Sequence, residues 1–465
     1  MELEAVIGLE IHVQMNTKSK MFSSAPVDFG GVPNTRIAPL DMAMPGTMPV
    51  VNKQAVINAI RACHALHMHI DNELWFDRKN YFYSDLAKGY QISQHKRPIG
   101  KNGYLDINDK RIVVDKLQIE EDTCKQLHLD DCSLLDYNRS GIPLLEIVSK
   151  PEITSGEEAM RYVEKIKSIV SFLGVSDGKM EEGSLRCDVN ISLKEKDSNK
   201  LGAKVEIKNL NTLSNIKKAV EYEINRQKEI LLNGGHVEQD TRRFNEQTKK
   251  TVKMRLKTDS IDYKFFTEPN LPPIRLSEQF IDNAIKTSPE LAEQRYERYL
   301  KLGLNEYDSR LLTLDKDVSD YFDKTISYGV NPKLATNWIN VDIQTILKKN
   351  NISIKDFNIE PDRLSSLIKL IEKDRITNKQ GREIFSYMLK CSKGPEDFIE
   401  QNEMTNDEEL KNLIANLISD QIVKDYQNGK DKVVGYVVGQ ILKATQGKVN
   451  PAKVNKMVLE ELKRR

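Results

Sequence analysis

Strict two-residue alternation near the N-terminus is the strongest constraint on how this chain folds: Ile7, Leu9, Ile11, Val13 and Met15 are separated by Gly8, Glu10, His12 and Gln14. Successive side chains of a strand point to opposite faces, so the pattern describes a strand with one apolar and one polar face. It returns at Leu185, Cys187, Val189, Ile191 and Leu193, which leaves Arg186, Asp188, Asn190 and Ser192 on the other side. Val205 and Ile207 alternate in the same way with Lys204, Glu206 and Lys208. A chain with several such strands is expected to form a sheet that lays one face on a core.

Helical spacing separates these strands. Ser155 to Glu158 reads as a capping box, followed by Met160, Val163, Ile166, Ile169, Val170 and Leu173 and closed by Gly174. Further helices are expected from about Ser214 to the stop Asn233-Gly234-Gly235, and from about Lys53 to Leu66. Strands mixed with helices to about residue 275 predict an α+β domain with a mixed sheet rather than a strict βαβ repeat. Leu271-Pro272-Pro273 then punctuates the chain, and helical patterns follow at 289–302, 361–374 and 379–390. Pro395 and the polar run from Glu400 to Glu409 mark a second break. The expected domains are 1–290, 291–404 and a small helical tail, 405–465, which suits a chain of 465 residues.

Lys and Arg number 70 against 69 Asp and Glu, a net charge of +1, so no global field is present to hold a polyanion. Any such site must be local. Residues 429–465 carry nine Lys or Arg and three acidic residues, an excess that suits either a solvated surface or a nucleic-acid contact. The longest nearly uncharged apolar run, Val433 to Leu442, is about half of the roughly 20 residues a bilayer span needs. Acidic Met1-Glu2-Leu3-Glu4 is unlike a signal peptide, so a cytoplasmic protein is expected, without a membrane partner. Five cysteines with no Cys-x-x-Cys pair predict free thiols.

The polar strand faces concentrate carboxylates: Glu10 and His12 on one, Asp188 and Glu206 on two others, with Glu120, Glu121, Asp122 and Glu146 in further expected strands. Carboxylates sharing one surface repel unless a cation offsets them, and magnesium suits hard oxygen donors that share it with phosphates. Solvated strand faces are the alternative, and sequence does not make the strands neighbours. The stretch from Phe76 to Tyr83, with Lys88-Gly89-Tyr90-Gln91-Ile92-Ser93-Gln94, combines cations, amides and aromatics able to hold phosphates and a purine. Walker, G-x-G-x-x-G, Gly-x-Ser-x-Gly and His-Glu-x-x-His motifs are absent, which disfavours P-loop, Rossmann, hydrolase and zincin readings.

Four long motifs carry a resemblance: Val6-Ile7-Gly8-Leu9-Glu10-Ile11-His12-Val13-Gln14, Phe76 through Tyr83, Met180 through Asp188, and Glu206-Ile207-Lys208-Asn209-Leu210-Asn211. With Asn428-Gly429-Lys430 through Asn450-Pro451, they make the chain similar along its whole length to the B subunits of bacterial glutamyl-tRNA(Gln)/aspartyl-tRNA(Asn) amidotransferases. The resemblance implies an N-terminal cradle with a glutamine-synthetase-like core, a helical domain and a tRNA-binding tail. It implies that ATP phosphorylates the side-chain carboxylate of misacylated tRNA and that ammonia then displaces phosphate. An amidase-type A subunit would supply the ammonia and a small C subunit would bridge the two, making a heterotrimer. By this similarity Glu10, His12, Glu121, Glu146, Asp188 and Glu206 belong to the magnesium and reaction centre. Parity at Leu117-Gln118-Ile119 leaves Glu120 and Glu121 as alternatives, and Glu121 is taken. Arg78, Lys79, Tyr81, Lys88 and Ser93 are implied for ATP or the acceptor end.

The chain departs from the family pattern. Positions that hold zinc through two cysteine pairs in many members read Ser23, Ala25, Ala38 and Asp41, so no structural zinc is expected. The usual His-Met-Glu-Glu-Asp-Ala-Gly-Lys reads Gln118-Ile119-Glu120-Glu121-Asp122-Thr123-Cys124-Lys125, and two usual prolines are Ser84 and Ala87. Thr267 lies in a further altered aromatic stretch. A divergent RNA-binding paralogue with weak or lost kinase activity is therefore the alternative to an active amidotransferase component.

Overall fold

The computed structural model describes residues 2–28, 30–198, 200–256, 262–398, 407–427, 430, 432–445, 449 and 451–465. They form two compact units, Met1–Ala292 and Glu293–Arg465.

The alternating segment Leu3–Gln14 is the central strand of a nine-stranded sheet in the first unit. On one side of it stand Leu185–Glu195, Val205–Lys208, Asp240–Asn245 and Lys250–Leu256; on the other stand Pro143–Ser149, Lys110–Glu121, Gly100–Ile107 and His69–Ile70. Neighbours run antiparallel, except that Val205–Lys208 and Asp240–Asn245 are parallel. The sheet is therefore mixed, and the parallel pair is joined through the helix Leu213–Leu232, as a crossover requires.

Ile7, Leu9, Ile11 and Val13 are buried in one cluster with Leu145, Ile147, Leu117, Ile119, Val189 and Ile191. Helices Lys53–Ala65, Gly156–Phe172 and Leu213–Leu232 contribute Ile60, Val163, Ile166, Ile216 and Val220 to the same core. Their ends follow local chemistry: Asn52, Ser155 and Thr212 accept from backbone N–H groups of the first turns. Ser155 caps Glu158 as the sequence predicts, but the Glu158 carboxylate returns to the N–H of Thr154 and to Lys110 instead of to Ser155. Only one arm of the expected box closes.

The second unit is helical. Helices Ala292–Lys301, Pro361–Glu372 and Asn378–Met388 lie where helical spacing places them, joined by Glu306–Leu312, Lys316–Ser327 and the continuous run from Pro332 to Asn350, which contains a π-helical turn, Trp338–Ile343. Tyr299, Phe322, Trp338, Leu367 and Phe385 share one core. A separate cluster of Ile414, Val437, Ile441, Val454 and Val458 belongs to the helices Asp407–Leu417, Asp420–Gln427, Lys432–Ala444 and Pro451–Arg464. The polar run at 400–409 falls mostly outside the described residues. Among the described residues no helix is long and apolar enough to cross a membrane, and all five cysteines are free.

Candidate active site

Strand register decides which polar residues meet. His12 lies opposite Glu146 on one side and Arg186 on the other, while Glu146 faces Gln118. Glu10 lies opposite Asp188, and Asn190 opposite Glu206. Residues directly opposite project from the same face, so the separate polar faces become one continuous surface on the side away from the apolar cluster. A cleft of about 600 Å³ opens there, lined among others by His12, Lys79, Glu120, Arg186, Asp188 and Lys208.

Among the described residues, the donors close enough to share one cation are Glu10, His12 and Glu146, whose ligand atoms lie within 4.8 Å of one another. His12 Nε2 is 3.6 Å from Glu10 Oε1. Glu146 is buried, and this burial, with Glu120 and Glu10 nearby, holds its carboxyl well above the usual carboxylate range. Crowded acid groups of this kind are a set whose repulsion a divalent cation offsets, and two carboxylates are the hard oxygen donors that magnesium takes, with the imidazole beside them. The residues fit the metal that the resemblance implies.

The register corrects one expectation. Glu120, opposite Leu144, shares the face with Glu146, whereas Glu121 points to the other side of its strand. Glu120 accepts from Ser93 Oγ at 2.6 Å, Gln118 Nε2 at 2.7 Å and Gln91 Nε2 at 3.1 Å. Glu121 is ion-paired with Lys88 and accepts from the Ile92 N–H at 2.9 Å. Its carboxylate is therefore held by the small sheet of Phe266–Thr267, Asp77–Asn80 and Tyr90–Ser93 and the chain beside it, apart from the Glu10 cluster.

Asp188 and Glu206 face a lysine. Lys208 Nζ donates to Asp188 Oδ2 at 2.7 Å and lies 3.2 Å from Glu206 Oε1, and Thr241 Oγ1 donates to Glu206 Oε2 at 3.1 Å. Burial alone would lower the Lys208 pKa, but the two carboxylates raise it above the ordinary lysine value. Arg186 is turned toward Asp122, at 2.8 Å, where Gln14 also donates at 2.7 Å. Burial opposes ionisation of Asp122, yet Arg186 and Arg139 hold its carboxyl below the usual range.

The five residues proposed for ATP or the acceptor end are divided. Lys79 lines the cleft with its ammonium 4.9 Å from the Tyr263 ring centroid. Arg78 instead grips Glu268 through two hydrogen bonds, 2.6 and 3.0 Å long, and lies over Tyr90 at 4.0 Å. Lys88 and Ser93 each serve a carboxylate, Glu121 and Glu120. The Tyr81 ring sits edge-on to Tyr263 at 5.9 Å, and burial raises its phenol pKa. The sequence places Arg186 and Lys208 on polar strand faces and leaves Glu120 as an alternative, but it assigns no site role to them or to Gln118.

Where family members carry zinc ligands, Asp41 accepts from Ser23 Oγ at 3.0 Å, the Ala38 N–H at 2.8 Å and Lys20 Nζ at 3.0 Å. Lys20 also donates to the Tyr137 carbonyl at 3.2 Å. One hydroxyl, two alanines and a carboxylate already paired with an ammonium do not fit zinc.

Fold and site together define a class: an α+β unit whose mixed sheet presents carboxylates to a cleft, continued in the same chain by helices. Residues 5–282 match the family described as the GatB/GatE catalytic domain, and residues 320–462 match the GatB domain. The chain belongs to this family. It is 44% identical over 476 residues to the B subunit of the aspartyl/glutamyl-tRNA(Asn/Gln) amidotransferase of Geobacillus thermodenitrificans, with 100% of both chains covered. Proteins of the same name from Bacillus cereus and Bacillus thuringiensis are each 44% identical over 475 residues, again with 100% of each chain covered.

Proposed function

We propose that this protein amidates the side-chain carboxylate of glutamate or aspartate misacylated on tRNA(Gln) or tRNA(Asn), using ATP and an acyl-phosphate intermediate. The observation that carries this reading is the Glu10, His12 and Glu146 donor set beside a cleft containing Lys79, Arg186 and Lys208. A carboxylate is a poor acyl donor because oxide is its leaving group; phosphorylation replaces it with phosphate, which ammonia can displace. Magnesium bound by the donor set would offset charge as phosphate and carboxylate approach. The protein residues hold that set through the sheet register, while the cleft cations steer the anionic reactants. Ammonia comes from glutamine in an amidase-type A subunit, and a small C subunit joins the two into a cytoplasmic heterotrimer. The names of the relatives, which are B subunits, support this assembly.

Glu146→Gln in the assembled complex tests the reading. Glutamine mimics the neutral acid that burial and Glu120 favour, so the fold should persist with an unchanged melting temperature. Transamidation and ATP hydrolysis dependent on misacylated tRNA should fall by about 10²–10³, the scale of losing a main electrostatic stabiliser. Glutamine hydrolysis in the partner should continue. Wild-type transamidation by the folded variant would refute the donor assignment. A wild-type complex that binds misacylated tRNA without hydrolysing ATP would instead favour the RNA-binding paralogue.

A further inference from the structure

The polar face contains two kinds of carboxylate. Glu10 and Glu146 stand with His12, their ligand atoms within 4.8 Å of one another, whereas Asp188 and Glu206 converge on Lys208. The second group is built from three strands: Leu185–Glu195 supplies Asp188, Val205–Lys208 supplies Glu206 and Lys208, and Asp240–Asn245 supplies Thr241 to orient Glu206. Val189 pairs with Ile207, so one step along the register sets Lys208 across from Asp188, which itself faces Glu10. Glu10, Asp188 and Lys208 thus form one row across the sheet. Strand spacing puts Lys208 on the order of 10 Å from Glu10, so an extended anion along the row meets the donor set at one end and the ammonium at the other.

Lys208 is also placed to receive a ligand. Its side chain lines the cleft and is 36% exposed despite its two ion pairs. Its strand ends there, and the left-handed turn at Asn209, φ 63°, carries Asn209, Leu210 and Asn211 into the cleft wall. Arg186, on the neighbouring row, is already engaged by Asp122. An ammonium held by two carboxylates is fixed in direction while keeping a third donor site for an oxygen.

We propose that Lys208 is an anion-positioning residue: Asp188 and Glu206 aim its ammonium into the cleft, where it binds a phosphoryl oxygen of the nucleoside triphosphate. On this reading, which rests on the function proposed above, the two carboxylates serve the lysine and not a metal ion.

The test uses the full-length chain, Mn²⁺ binding followed by electron paramagnetic resonance, and calorimetry with a non-hydrolysable ATP analogue. Lys208→Met should weaken analogue binding by about 10–100-fold, the range for a hydrogen bond to a charged group, while Mn²⁺ affinity stays essentially unchanged. Asp188→Asn should weaken analogue binding in the same direction and spare Mn²⁺, whereas Glu146→Gln should lower Mn²⁺ affinity by about tenfold or more. Lys208→Arg keeps the charge and should recover part of the binding; it also covers the case in which Lys208→Met does not fold. The proposal is overturned if Asp188→Asn lowers Mn²⁺ affinity as much as Glu146→Gln, or if Lys208→Met strengthens Mn²⁺ binding, because the lysine would then be only a stand-in for the metal. An unchanged Mn²⁺ affinity in Glu146→Gln would refute the donor set alone, since analogue binding decides the lysine separately.

Discussion

Among the described residues of the first unit, Lys20 is the most deeply buried cation, 1% exposed, and its partner Asp41 is 6% exposed. Removing one member of a buried pair strands the other charge, which typically costs about 3–5 kcal/mol. Asp41→Asn should therefore lower stability in urea by about that amount, whereas a zinc chelator should leave the wild-type transition in place. A loss below about 1 kcal/mol would show that the loop is held by other contacts. This network was legible in the sequence only as missing cysteines; nothing in the local pattern says that Lys20 reaches a carboxylate 21 residues away. Glu10, His12, Asp188 and Glu206 were legible because each alternates with buried aliphatics, and one-sided burial forces their direction. Glu120 and Glu121 show where that rule weakens. The strand register puts Glu120 on the polar side, and near the strand end a charge of the opposite parity survives because Lys88 and the Ile92 N–H meet Glu121.

At the scale of elements, a sharp constraint falls where a strand passes beneath a helix end. Gly103 pairs with Val114, and a Cβ added there would lie 2.3 Å from the Leu66 carbonyl oxygen and 2.4 Å from Met68 Cγ. Gly103→Ala must move backbone, so it should destabilise the first unit by about 1–3 kcal/mol in thermal or urea unfolding. Gly439, inside helix Lys432–Ala444 with nothing within 4 Å, should respond oppositely: alanine there removes the helix penalty of glycine and should add up to about 1 kcal/mol to the tail. Equal effects at the two positions would contradict this packing. Helices were the most legible elements because caps and stops are local: Thr212 and Asn233 bracket Leu213–Leu232 as turn chemistry requires. Strand partners were not legible, since pairing depends on chain segments far apart.

Across the whole molecule, the tail is where we propose the sequence-independent part of RNA binding. Its excess of basic residues is local in a chain of net charge +1, and part of it lies outside the described residues. Deleting residues 405–465 should weaken tRNA binding and flatten its salt dependence, because fewer counterions are released on binding. An unchanged slope would assign those charges to a solvated surface. The passage from strands to helices was readable from the change of period, but the sheet order was not: Leu3–Gln14 is central, yet its two neighbours are Pro143–Ser149 and Leu185–Glu195. That order has a consequence for biosynthesis. At roughly 5–20 residues per second, the first strand waits several seconds or more on the ribosome before its first partner is made, and longer for the second. Until then both edges of a strand with one apolar face are open to other nascent chains, so this protein should depend on chaperone cover early in translation, well before any carboxylate of the cleft has found its neighbours.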